Sequence, residues 1–421
     1  MKVRLEEMLG ARDRRAAIQE EMLAGGQGRC LACLTLNIAG DVKRTRMSRM
    51  LFDRGLSEME KRGLRVIEYR EIDEKTGSEA FWLLDEEAES VKELLERIEE
   101  DESIAAARLF DFDVLTYDGA PIKLSRKAGR KCLICERPAA ECSRSRRHGL
   151  DAVKEATDNM LRNFCADTLA AAAHDALIAE LETTPKPGLV DMNNNGAHSD
   201  MDIDTLRRSA DALLPYFKDA ALMGMSGCSM KELRARGIEA DREMLDVTGG
   251  VNTHKGMVYS MGLLVSGMGR TLADESEAGA ENIYEQAIKN AADLARADIA
   301  GRDFGATKEA CEGFPNAVYS AERLGIYKHR HEVNQAAALA LIDSMARLDD
   351  TNILRRGGAE GLAFVREEAS RVAAMPEVDR LKAAKELDDE MIKRNLSPGG
   401  SADMLALAFL LDTWKRISHN L

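Results

Sequence analysis

The chain has 421 residues, 45% of them hydrophobic and 31% charged, with a formal net charge of −14. That balance excludes a disordered chain and disfavours a nucleic-acid binder, which would carry a basic surface. The longest apolar run, "GMVYSMGLLVSGMG" at residues 256–269, is shorter than the about 20 residues of a membrane span, and the eight cysteines read as reduced thiols of a cytoplasmic protein.

The opening segment "MKVRLEEMLGARDRRAAIQEEML" reads as a charged amphipathic helix, not a signal peptide, with Arg12, Arg15 and Gln19 on one face. Residues 29–40 are strand-like and end in a turn. Residues 64–72 and 79–85 flank "DEKTGS" as a hairpin, and residues 89–100 have helical period. In "RLFDFDVLTYDGAPIKL" the Asp118-Gly119 pair marks a second hairpin. Beyond residue 150 strand signals fade. An alanine-rich helix at 150–182, with room for one break, is followed by helical segments at 281–300 and 331–350. The expected architecture is two domains: 1–150, α+β with a small mixed or antiparallel sheet, and 151–421, all-α with glycine-rich loops.

Those loops carry chemistry. "TTPKPGLVDMNNNGAHSDMD" follows the long helix and places Lys186, Asp191, His198, Asp200 and Asp202 close together. Carboxylates and amide oxygens suit a hard cation such as Mg²⁺, and Lys186 suits a phosphate; the competing reading is that Asn and Asp simply form turns and caps. "GGVNTHKG" puts Asn252, His254 and Lys255 at the start of the apolar helix, where free N–H groups favour anions. "NLSPGGSADMLALAFLL" repeats the device with Gly399, Gly400, Ser401 and Asp403, and "DTNILRRGG" adds Asp350, Asn352, Arg355 and Arg356. No P-loop motif occurs.

These segments, with "ACEGFPNAV" and in this order, resemble the triphosphoribosyl-dephospho-CoA synthases over residues 155–421. The resemblance implies that ATP and dephospho-CoA react to release adenine and join a triphosphoribosyl unit to a ribose hydroxyl. It places Asp191, Asp200 and Asp202 on metal or sugar, His198 or His254 in proton transfer, and Lys186, Asn252, Lys255, Arg356, Gly399, Gly400, Ser401 and Asp403 on substrate. Where the family usually shows Arg-Gly-Glu, this chain has Thr307-Lys308-Glu309, which keeps a cation but loses a planar guanidinium.

In the first half, strand alternation in "RLFDFDVL" puts Asp111 and Asp113 on one face, able to grip Mg²⁺ or simply to be solvated. A basic run from Lys123 to Arg147, including Arg126, Lys127 and Arg130, suits a polyphosphate or an acidic partner. "ARDRRAAIQ", "TLNIAGDVK", "GSEAFWLLD", "RLFDFDVL" and "RKCLICERPAAECSRSRRH" resemble the holo-acyl-carrier-protein synthase of citrate lyase over about residues 1–150. That resemblance implies a nucleotidyltransferase-like domain that transfers phosphoribosyl-dephospho-CoA to a serine of the lyase acyl carrier subunit and releases pyrophosphate. It makes Asp111 and Asp113 the Mg²⁺ pair and Arg12, Arg15, Gln19, Asn37, Lys43, Arg126 and Arg130 substrate contacts. Ala39-Gly40-Asp41 departs from the family's usual Pro-Gly-Pro.

Cys132, Cys135, Cys142 and His148 have the ligand types of a zinc site, but the second pair is not a compact C-x-x-C, and buried or loop cysteines are the preferred reading. Cys30 and Cys33 fall on opposite faces of a strand. The partners these resemblances imply are ATP, dephospho-CoA and the carrier subunit, and neither nucleic acid nor membrane is expected. The rival readings are an all-α Mg²⁺-dependent ADP-ribosyl or nucleoside hydrolase with a zinc-stabilised adaptor, and the malonate decarboxylase version of the same pathway.

Overall fold

The computed structural model describes residues 2–26, 28–126, 129–135, 137–274, 282–297 and 305–421. Lys127 and the ends of the expected helix at 281–300 lie outside them. Two compact units emerge: Met1–Cys165 with Asn420–Leu421, and Ala166–His419. Their boundary lies fifteen residues beyond the expected one, inside a helix.

The first unit is α+β. Helix α1 (Leu5–Ala24) precedes strand β1 (Cys30–Leu36), helix α2 (Arg46–Lys61), the hairpin β2 (Val66–Glu74) and β3 (Gly77–Leu84), helix α3 (Ala88–Glu99), the hairpin β4 (Phe110–Tyr117) and β5 (Pro121–Lys123), and the short helix α4 (Ala139–Arg144). The sheet is antiparallel throughout, in the order β2-β3-β1-β4-β5. β1 is central and its sequence, CLACLTL, is apolar enough to be covered on both faces. Met22 and Leu23 of α1 pack on Leu31, Cys33, Phe81, Leu83 and Leu115. On the other face α2 comes so close that a Cβ at Gly55 would lie 2.6 Å from Leu34. Cys33 thus faces α1, and Cys30, an odd number of residues away, faces the opposite side.

Helix α2 has no counterpart among the sequence-based expectations. Its cap was readable: Thr45 accepts from Ser48 N at 2.9 Å and Ser48 Oγ accepts from Thr45 N at 2.8 Å. β5 is too short to cover β4, and α3 covers the rest of that edge. Glu99 accepts from Phe112 N at 2.6 Å and Lys92 Nζ donates to Phe112 O at 3.0 Å, so the exposed ladder groups are satisfied by side chains.

Helix α5 (Leu150–Glu182) runs unbroken for 33 residues and carries the unit boundary. The second unit is all-α: α6 (Ile203–Met225), α7 (Met230–Val247), α8 (Lys255–Ala273), α9 (Ile283–Arg296), α10 (Gly305–Cys311), α11 (Pro315–Lys328), α12 (Val333–Met345), α13 (Thr351–Ala373), α14 (Glu377–Lys393) and α15 (Gly399–Ser418). The apolar run expected to be a buried helix is α8. Its glycines let backbones meet: a Cβ at Gly269 would lie 2.3 Å from Ala221 O in α6, and one at Gly267 would lie 2.4 Å from Ala287 O in α9. Among the described residues no helix is long and apolar enough to cross a membrane.

Candidate active site

The polar loop after α5 mostly holds itself together. Asp191 accepts the backbone N–H groups of Lys186, Asn193 and Asn194 at 3.1, 2.7 and 3.1 Å. From α14, Asp388 reaches in to accept from Gly188 N at 2.8 Å and Asn194 Nδ2 at 2.9 Å. Asp202 caps α6, accepting from Thr205 N at 2.8 Å and from its hydroxyl at 2.7 Å. Neither Asp191 nor Asp202 lines the cavity that the loop borders; Asp191 ties the loop's own N–H groups and Asp202 caps α6. His198, Asp200 and Lys186 do line it.

That cavity, about 720 Å³, is built where helices begin. His254, Lys255 and Gly256 open α8; Asp350, Thr351 and Asn352 open α13; Gly399 and Gly400 open α15. One buried carboxylate joins two of these ends. Asp350 Oδ1 caps α13 through Asn352 N at 2.9 Å, while Oδ2 accepts from Ser401 N and Oγ of α15 at 2.8 and 3.1 Å. Ser401 is thereby engaged inside the scaffold and does not line the cavity. Glycine permits this convergence: a Cβ at Gly256 would lie 2.6 Å from Asp403 Oδ2, and one at Gly399 2.7 Å from Asn352 Nδ2. Asp350 takes N–H groups of the α13 and α15 starts, so the charge for an anion comes from Lys255, Lys308, Arg347, Arg355 and Arg356, which line the same space. Lys308 therefore does supply a cation at the position of the sequence departure.

The titratable groups here are pushed apart. Burial, with Asp350 and Glu180 nearby, raises the Asp403 carboxyl well above the usual range. Burial and the neighbouring Lys186 lower His254 to about 4; its Nδ1 lies 2.7 Å from Ser209 Oγ. His198 is also lowered, by burial and then Arg356. Arg356 Nη2 lies 3.2 Å from His198 Nδ1, and Ser397 Oγ lies 2.8 Å from Nε2. Lys186 Nζ is buried against Glu180 at 2.6 Å, so it acts first as a partner to that carboxylate. Glu180 is a site residue that sequence reasoning missed: it sits in the last turns of an alanine-rich helix with no motif around it. Asn252 lines the cavity as expected.

In the first unit the expected strand face is present. Asp111 and Asp113 are half-buried while Phe110, Phe112 and Val114 are buried behind them. Arg130 bridges Asp111 and Glu99, at 2.7 Å each, and donates to Phe110 O. Asp113 pairs with Lys123 at 2.5 Å. From α1, Arg15 pairs with Glu79 at 2.7 Å on the same side as Asp111, and Gln19 Nε2 lies 3.5 Å from Cys33 Sγ. Arg126 is instead held by Glu96 and Glu99 of α3 and by Glu100 just beyond it. Arg12 is exposed, Lys43 donates to Ile38 O, and the Asn37 backbone N–H donates to Leu109 O at 2.7 Å. Cys132, Cys135, Cys142 and His148 come together, their ligand atoms all within 4.8 Å of one another.

Comparison with known proteins assigns each half to a family. Residues 166–420 match the family model of ATP:dephospho-CoA triphosphoribosyl transferase (CitG), and residues 3–164 match that of apo-citrate lyase phosphoribosyl-dephospho-CoA transferase (CitX). Both halves are thus transferases. The protein CitXG of Haemophilus influenzae is 32% identical, with 96% of this chain and 95% of that one covered; CitXG of Leuconostoc mesenteroides subsp. cremoris is 29% identical, with 97% of each covered. The 2-(5''-triphosphoribosyl)-3'-dephosphocoenzyme-A synthase of Haemophilus ducreyi is 34% identical over 65% of this chain and 97% of its own. The chain belongs to the CitXG family, in which a CitX and a CitG domain are fused. It is a bifunctional enzyme that synthesises the citrate lyase prosthetic group and attaches it to the lyase.

Proposed function

We propose that the helical unit converts ATP and dephospho-CoA to 2'-(5''-triphosphoribosyl)-3'-dephospho-CoA and adenine in the 720 Å³ cavity, and that the α+β unit transfers phosphoribosyl-dephospho-CoA to a serine of the acyl carrier subunit, releasing pyrophosphate. The observation that carries the first assignment is the convergence of the α8, α13 and α15 starts beside Glu180, Asp350 and Asp403. The lining cations hold a triphosphate that stays on the product, so they orient it and do not activate a leaving group. Breaking the ribose–adenine bond builds positive charge on the sugar, which the carboxylates stabilise. Asp403, kept protonated, donates a proton to the departing adenine; His254, kept neutral, receives the proton of the attacking hydroxyl.

Glu180, Asp200 and Asp350 line the cavity and offer the carboxylate oxygens that a hard divalent cation takes. Glu180, Asp350 and Asp200 would hold Mg²⁺ there, and Mg²⁺ when bound would neutralise triphosphate charge. In the other unit the nucleotidyltransferase-like reading rests on Asp111 and Asp113 sharing a strand face. Both already face cations, Arg130 and Lys123, which a second Mg²⁺ would displace. The match of the first half to an apo-citrate lyase transferase supports the citrate lyase branch over the malonate decarboxylase one. All eight cysteines are free, which suits the cytoplasm.

The test supplies ATP, dephospho-CoA, Mg²⁺ and apo-carrier, and follows adenine and carrier mass together. Asp403→Asn should abolish both signals. Asp113→Asn should leave adenine formation intact and abolish the carrier mass shift. Loss of both signals in each variant, or of neither, would refute the division of labour.

A further inference from the structure

The segment at residues 129–149 has too few apolar side chains to fold on its own core. Of its larger ones, Ile134 is 39% exposed. Yet its backbone is specific. Lys131 bridges Pro138, Cys132 N donates to Arg137 O at 2.8 Å, and Ala139 N donates to Arg130 O at 2.7 Å. This makes a small hairpin whose tip carries Cys132 and Cys135. α4 then presents Cys142. Arg146, at φ 47°, turns the chain, with Arg147 N donating to Cys142 O at 3.1 Å, and brings back His148.

The four side chains meet at one point. Cys135 Sγ lies 3.5 Å from Cys142 Sγ and 3.4 Å from His148 Nε2, and all four ligand atoms are within 4.8 Å of one another. Tetrahedral Zn²⁺ with its usual Zn–S and Zn–N lengths separates ligand atoms by roughly 3.4–3.8 Å. Cys132 Sγ also accepts the backbone N–H groups of Ile134 and Cys135, the second layer of contacts that orients a thiolate for metal. Cys132 and Cys142 are buried. The sequence argument against zinc, the absence of a second compact C-x-x-C, fails because α4 and the turn at Arg146 close the gap between Cys142 and His148.

We propose that Cys132, Cys135, Cys142 and His148 form a structural Zn²⁺ site that folds the basic segment. The segment is anchored to the β4 side of the sheet at two points: Arg108 Nη2 donates to Cys132 O at 2.6 Å, and Arg130, adjacent to the hairpin, holds Asp111 at 2.7 Å. The metal is thus a positioning device for Arg130, with all four coordination places taken by protein and none left for substrate. Three thiolates and a neutral imidazole give the zinc centre a net charge of −1, which Arg137, Arg144, Arg146 and Arg147 of the same segment offset.

The experiment is metal analysis of the full chain, purified under reducing conditions and gel-filtered. About one zinc per chain is expected, released stoichiometrically when a mercurial titrates the thiols. Cobalt substitution should give the visible bands of a tetrahedral thiolate site. Cys142→Ser should lose the zinc, and Cys165→Ser and Cys311→Ser should keep it. His148→Cys should retain the metal with a shifted cobalt spectrum, which separates ligation from a simple folding defect. Zinc content near zero in the wild-type chain overturns the proposal. So does full zinc retention in Cys142→Ser, or a Cys135–Cys142 disulfide in the native protein.

Discussion

At the scale of single residues, the cavity sorts its acids and bases by burial. Burial, and then the neighbouring Asp350 and Glu180, push the Asp403 carboxyl towards its protonated form. Asp403→Asn should therefore leave the melting temperature nearly unchanged while lowering adenine formation by about 10²–10⁴-fold, the usual contribution of a positioned acid. His254 has the opposite signature. Its pKa falls from an ordinary 6.5 to about 4, so between those values the unfolded chain binds a proton that the folded chain refuses. The stability it contributes is complete above 6.5 and is lost as the pH falls towards 4. His254→Gln should shrink the drop in melting temperature between pH 7.5 and pH 5. Lys186 is buried with Glu180, so Lys186→Ala should cost about 3–5 kcal/mol in denaturant unfolding, because it strands a charge. The residue types of this site were legible in the sequence, since polar side chains cluster at glycine-rich breaks. Which ones serve the loop was not. Asp191 and Asp202 look alike in one dimension, but Asp191 binds the loop's own N–H groups and Asp202 caps α6. Asp388, which clamps the loop, lies 200 positions from Gly188.

At the scale of elements, the sheet was the most legible part. Period-two alternation in β4 fixed the face of Asp111 and Asp113, and Asp118-Gly119 fixed its hairpin. α2 escaped notice because its apolar residues are interleaved with arginines and its cap uses Ser where Glu is the stronger signal. The helix starts around the cavity depend on glycines with no room for a side chain. Gly256→Ala would push a methyl group to 2.6 Å from Oδ2 of the buried Asp403 carboxyl. Moving that group should lower adenine formation on the order of 10²-fold with the fold intact by circular dichroism. By contrast Arg126, whose guanidinium is held by Glu99 and Glu100, should affect folding of the first unit more than transfer.

At the scale of the whole molecule, the change from strand to helix signals near residue 150 located the change of fold class, but not the boundary between units. A long helix has no break to read, and only tertiary contacts assign its first half. Lys154 illustrates this: its side chain would meet a Cβ at Gly40, 2.7 Å away, in the first unit. Fusing producer and consumer of one intermediate should also raise its local concentration. Less free triphosphoribosyl-dephospho-CoA should escape from the intact chain than from an equimolar mixture of the two activities on separate chains; equal escape would count against that advantage. The continuity of α5 has a practical side. Proteases nick exposed flexible connections, and residues 165 and 166 are both buried helical positions. Limited digestion should spare that junction. Anyone dividing the gene must choose which fragment inherits a severed rod: ending the first piece at residue 149 strips it of sixteen residues it needs, and ending it at 165 deprives the second piece of the opening half of the helix that carries Glu180.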